Sequence, residues 1–168
     1  LSHGIRLSLI EGIERALQND PQLRVGSLHN FCPLPVGYIH AAPNIYLLSS
    51  EHETERQKAI RQTLQTMDFA VRVKARVVVL HLGSVPMKVY TRELFHLIHK
   101  GMRDTPGYQK TLEKALKKRE GKSRKPFLQT MKSLEALVPA ARERNLILGV
   151  ESSYMLEEIP SEKEFEEI

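Results

Sequence analysis

The chain has 168 residues, about the size of one domain at roughly 100–200 residues per domain. Hydrophobic residues make up 41% and charged residues 27%, a balance that excludes wholesale disorder. No apolar run approaches the roughly 18 residues of a membrane span, no signal-peptide pattern opens the chain, and a formal charge of +5 tolerates anionic ligands without requiring them.

Gly4-Ile5-Arg6-Leu7-Ser8-Leu9 reads as a strand. A short helix over about 10–18 follows, with Ile10, Ile13 and Leu17 on one face, and Asp20-Pro21 ends it. Leu23 to His29 is the second strand, leading into a loop rich in Pro33, Pro35, Gly37 and Pro43. Cys32, the single cysteine, excludes an internal disulfide and points to a reducing, cytoplasmic compartment. Ser50 with Glu53 has the spacing of a capping box, opening a helix to about Lys74 with Ile60, Leu64, Met67 and Val71 as its apolar stripe.

Arg76-Val77-Val78-Val79-Leu80-His81 is continuous and β-branched, as in a strand covered on both faces, and Gly83-Ser84 ends it. The next 40 or so residues exceed one crossover: a helix near 90–100, the break Thr105-Pro106-Gly107, and a helix near 108–119. A helix from about Pro126 carries Phe127, Met131, Leu134, Val138 and Ala141 on one face and feeds the strand Leu146 to Glu151. Ser161 with Glu164 is a second capping box. Strands alternating with helices predict a parallel α/β sheet, with residues 1–168 as one domain. An opening on a strand and a close inside a helix suggest part of a longer chain.

Charge is uneven. Lys100 to Lys132 carries eleven Lys or Arg and three acids, whereas 151–168 carries seven Glu and one Lys. Only Tyr108 and Phe127 lie within the basic run, so base stacking has little support and a solvated helical face with a Gly-Lys-Ser-Arg-Lys hinge at 121–125 is the simpler reading.

Three strand ends finish in a metal-capable side chain: His29, His81 and Glu151. In a parallel sheet all C-terminal strand ends lie on one side, where ligands bind. Two imidazoles and a carboxylate suit a divalent metal such as Zn, Mn, Mg or Fe. Asn30, Ser84 and Tyr154 stand close enough in sequence to contact a substrate there.

Leu80-His81-Leu82-Gly83-Ser84 resembles the Leu-His-Pro-Gly-Ser strand end of the xylose isomerase-like TIM-barrel superfamily, which includes sugar and sugar-phosphate isomerases and epimerases and class-two AP endonucleases. Ser27-Leu28-His29-Asn30 is similar to its preceding strand end, Gly149-Val150-Glu151-Ser152 to its Gly-(Ile/Leu)-Glu-Asn end, and Gly4-Ile5-Arg6-Leu7 to its second strand. Leu82 and Ser152 depart from the usual Pro and Asn, and the 86–123 insertion exceeds the usual crossover. The resemblance implies an incomplete barrel covering about strands two to five of eight, since a whole barrel takes about 250 residues.

It also implies Glu151 as a metal ligand, His81 and His29 as ligands or substrate-orienting donors, and Glu151 and His81 as catalytic groups. The implied reaction is metal-dependent isomerisation or epimerisation of a sugar or sugar phosphate, by proton transfer next to a carbonyl. The substrate partner would be a carbohydrate, with a homo-oligomer as a further expectation. The alternatives are a metal-dependent phosphodiesterase on abasic DNA and a barrel remnant that binds without turnover. The modest net charge and the motif departures stand against the nuclease.

Overall fold

The computed structural model describes residues 1–2, 4–41, 44–151 and 154–168; Pro43 and Ser152 of the sequence motifs lie outside them. Three strands, β1 (Ser27–His29), β2 (Val77–Leu80) and β4 (Ile147–Val150), form a parallel sheet in the order β1-β2-β4. Helix α2 (Glu53–Arg72) crosses from β1 to β2. The return from β2 to β4 contains α3 (Tyr90–His99), α4 (Pro106–Glu120) and α5 (Arg124–Glu143). Strands added in sequence order, with α2 and α5 packed side by side on them, make a segment of the wall of a (β/α) barrel. The parallel α/β class expected from the sequence is the class observed.

Register follows from side-chain alternation. Leu28, Val78 and Leu80 are fully buried towards the helices, together with Met67, Ala70, Phe127 and Leu137. Ser27, Val77 and Val79 turn the other way and are only half-buried, so β2 is not covered equally on both faces as its continuous apolar run predicts. Among the described residues no helix is long and apolar enough to cross a membrane.

Helices α2 and α5 end by the same device. Lys74 and Asn145 take positive φ (58° and 54°), and the next amides bond back five residues, Ala75 to Ala70 O and Leu146 to Ala141 O. This reverses the chain into β2 and β4.

Several expectations are corrected. Gly4–Leu9 is not a strand: Leu7–Leu9 form a 3-10 turn leading into α1 (Ile10–Asn19), and Leu7 and Leu9 are half-exposed. A strand needs a ladder, and Leu1 occupies the edge of β1 instead. Its amino group donates to Ser27 O at 2.7 Å, and His29 N donates to Leu1 O at 2.9 Å. The second strand is confined to Ser27–His29 rather than starting at Leu23.

Ser50 does not cap α2. His52 is the N-cap residue, while the Ser50 hydroxyl donates to Glu55 and accepts from His52 N. Of the expected stripe of α2, Ile60 and Met67 are buried and Leu64 is half-buried, but Val71 is 49% exposed, and Ala59, Thr63, Thr66 and Ala70 complete the buried face. Gly83-Ser84 forms a short strand, β3, antiparallel to β5 (Glu158–Ile159), through the pairs Gly83↔Ile159 and Ser84↔Glu158. Within the 121–125 stretch, Gly121, Lys122 and Ser123 make one tight turn whose amides bond back to the end of α4, and Arg124 and Lys125 open α5. The second capping box is present as read: Ser161 Oγ accepts from Glu164 N, and the Glu164 carboxylate accepts from Ser161 N, opening α6 (Glu162–Phe165).

Candidate metal centre

His29 ends β1, level with Val79 of β2. His81 and Glu151 lie one residue past the last pair of β2 and β4, Leu80↔Val150, and therefore beside each other. By alternation all three side chains emerge from the half-buried face, at the C-terminal end of the sheet. The ladder continues through them: Asn30 N donates to Val79 O at 2.8 Å and Glu151 N to Leu80 O at 3.4 Å. This rigid backbone gives the trio its mutual position.

The Glu151 carboxylate reaches across β2. Its Oε2 lies 2.8 Å from His29 Nε2 and 3.7 Å from His81 Nε2, and the two imidazole centroids are 5.8 Å apart. One ligand atom from each residue falls within 4.8 Å of the others. Around a tetrahedral zinc with bonds of about 2.0–2.1 Å, ligand atoms sit about 3.3 Å apart. The observed spacings bracket that value, and a His2Glu set is a donor combination that zinc and its neighbours accept. The residues present fit a divalent ion.

The remaining sequence candidates make contacts of their own. Asn30 is buried, with its amide donating to Thr63 Oγ1 at 2.7 Å and its carbonyl accepting from Thr66 Oγ1 at 3.1 Å. Its polar atoms tie β1 to α2 instead of facing a ligand. Ser84 is held through its backbone, whose N–H donates to Ser49 Oγ and whose carbonyl accepts from it. Tyr154 is 78% exposed, packs edge-on to Phe95 with centroids 5.8 Å apart, and lines a groove with Leu116, Met155, Pro160 and Phe165. Cys32 is buried beneath the loop, and burial pushes its thiol up to about 11, so it supplies no thiolate.

Two buried carboxylates have partners that sequence reasoning missed. Glu157 accepts from Tyr90 N, Thr91 N and the Thr91 hydroxyl at the start of α3. The only sequence trace is that Val89, the N-cap residue, has no capping side chain of its own. Glu164, read as a cap, also receives two hydrogen bonds from Arg119, at 3.2 and 2.7 Å. Burial by itself would raise the Glu164 carboxyl, but Arg119 and the Ser161 amide outweigh it and hold it below the usual carboxylate range. Arg119 is thus part of an internal clamp, while Lys110, Lys114, Lys117 and Lys118 of α4 are exposed.

No protein-family model and no curated protein sequence matches the chain. Among solved structures it is similar to a D-tagatose 3-epimerase-like protein, with 13% identity and a TM-score of 0.48, over 83% of this chain and 38% of that one. It is also similar to the apo form of 3-keto-D-glucoside 4-epimerase from E. coli, with 13% identity and a TM-score of 0.49, over 85% of this chain and 41% of that one. The chain therefore spans about two fifths of the length of these structures.

Proposed function

We propose that His29, His81 and Glu151 hold a divalent metal in a sugar or sugar-phosphate isomerase or epimerase, and that residues 1–168 are one unit of its barrel. The convergence of three strand-end ligands within 4.8 Å carries this reading. The strand-end motifs that resemble the xylose isomerase-like superfamily give it a reaction class. A bound divalent ion would supply Lewis acidity towards a carbonyl and its neighbouring hydroxyl.

The chain's own groups would do the rest. Glu151, reaching over β2, gathers the two imidazoles around one point. His29, with 30% of its side chain exposed, faces the solvent side and orients a substrate hydroxyl. His81, at 17%, is the more shielded imidazole and would hold the ion from the inner side, while a carboxylate would move the proton between adjacent carbons. The pinned Asn30 and the β3–β5 ladder hold the surrounding loops in place.

The test is elemental analysis of the protein purified without chelator, beside its Glu151→Ala variant. The expected result is about one divalent ion per chain, as a single three-ligand site would hold, and none in the variant. Keto-sugars would then be screened for turnover. No metal in either protein overturns the reading. Two or three ions per chain would favour a nuclease-type cluster.

A further inference from the structure

The carboxylate of Glu157 is buried, with 3% of the residue exposed, although no lysine or arginine pairs with it among the described residues. Its Oε1 accepts from Tyr90 N at 2.7 Å and Thr91 N at 3.1 Å, and its Oε2 accepts from Thr91 Oγ1 at 2.8 Å. These are the first two amides of α3, which have no partner inside their own helix and favour a negative charge. The Thr91 hydroxyl in turn accepts from Leu156 N at 2.9 Å, and Val85 N donates to Glu157 O at 2.7 Å. Every one of these bonds joins the segment leaving His81 to the segment leaving Glu151. Ladder β3–β5 lies beside them and joins the same two segments.

We propose that Glu157 is a positioning residue of the candidate metal centre, locking together the loops that leave His81 and Glu151 just beyond the ladder that spaces them. This rests on the metal reading above. The β2–β4 ladder spaces the two backbones and ends at the 3.4 Å bond from Glu151 N to Leu80 O. Glu151 must extend over β2 to reach His29, so the placement of its backbone decides whether its carboxylate meets both imidazoles. Glu157 holds that backbone at a point six residues along the chain from Glu151 and closes the gap between the two loops.

The test measures affinity for Zn2+ by competition with a chromophoric chelator, and the visible absorption of the Co2+-loaded protein, alongside melting temperature. Glu157→Ala is compared with the parent and with Arg144→Ala. Arg144 bonds Asp68 and Ala140 O at the opposite end of β4, so its loss lowers stability away from the ligands. Expected are a 10–100-fold weaker Zn2+ affinity and an altered Co2+ spectrum for Glu157→Ala, with parent-like values for Arg144→Ala. If Glu157→Ala does not fold, Thr91→Val removes the hydroxyl between Glu157 and Leu156 and should shift affinity in the same direction. Parent-like affinity in the folded variant overturns the positioning role and leaves the metal site intact. A parent chain that binds neither ion overturns the metal reading, and the positioning role falls with it.

Discussion

At the scale of single residues, two glycines show how context decides the effect of one methyl group. Gly83 has φ +124°, and a Cβ there would lie 2.1 Å from Ser49 Oγ and 2.8 Å from Ser49 Cβ. Ser49 also bonds the Ser84 backbone in both directions, so it cannot move aside without breaking that link. Gly83→Ala should therefore destabilise by at least about 1–3 kcal/mol, the cost of a side chain in a sparsely allowed backbone region. Gly12 sits within α1 with nothing inside 4 Å of a built Cβ. Gly12→Ala should stabilise by about 0.5–1 kcal/mol, through the lower entropy of the unfolded chain. Urea denaturation midpoints of the two variants should move in opposite directions; a shared direction would contradict the account. His29, His81 and Glu151 were legible at this scale because each follows an apolar run. The Asn30 hydrogen bonds were not, because Thr63 and Thr66 lie over thirty residues away.

At the scale of elements, α6 shows how the start of one helix is held. The opening of α6 combines a reciprocal cap with the Arg119 pair, and Glu164 is held below its ordinary range. A carboxyl lowered in the folded state stabilises fully above its unfolded value and loses that contribution as pH falls through the folded one. The melting temperature of the parent should therefore drop more steeply on acidification below about pH 4.5, the ordinary carboxyl range, than that of Glu164→Gln. Equal slopes would show that the clamp adds no pH-dependent stability. The box itself was readable, since Ser161 and Glu164 are local neighbours. Its partner Arg119 was not, because it comes from α4, 45 residues earlier. The failure of Ser50 as a cap has a similar origin: Glu55 draws its hydroxyl, and α2 starts later.

At the scale of the whole molecule, the sheet has an uneven finish. Among the described residues β4 pairs only with β2, and Ile147 on it is 57% exposed. An open apolar strand edge invites pairing with another chain. The apparent molar mass of the 168-residue chain from light scattering should rise with concentration, and Ile147→Lys should reduce that rise by adding a charge at that edge. Unchanged scattering would show that the edge is not the contact.

The sequence by itself determined the order of the three sheet strands and the helices between them, the parallel class, the two long amphipathic helices and the three strand ends that carry His29, His81 and Glu151. Those features are local, written in periodicities of 2 and 3.6 and in what stands next to them. The tertiary structure alone decided that Gly4–Leu9 would lose its place at the β1 edge to Leu1, that Asn30 would turn into α2, and that Glu157 would bind the start of α3. Each outcome is a competition for hydrogen-bond partners distant along the chain. Such partners become neighbours only after the sheet has formed, so no local pattern records which of them wins.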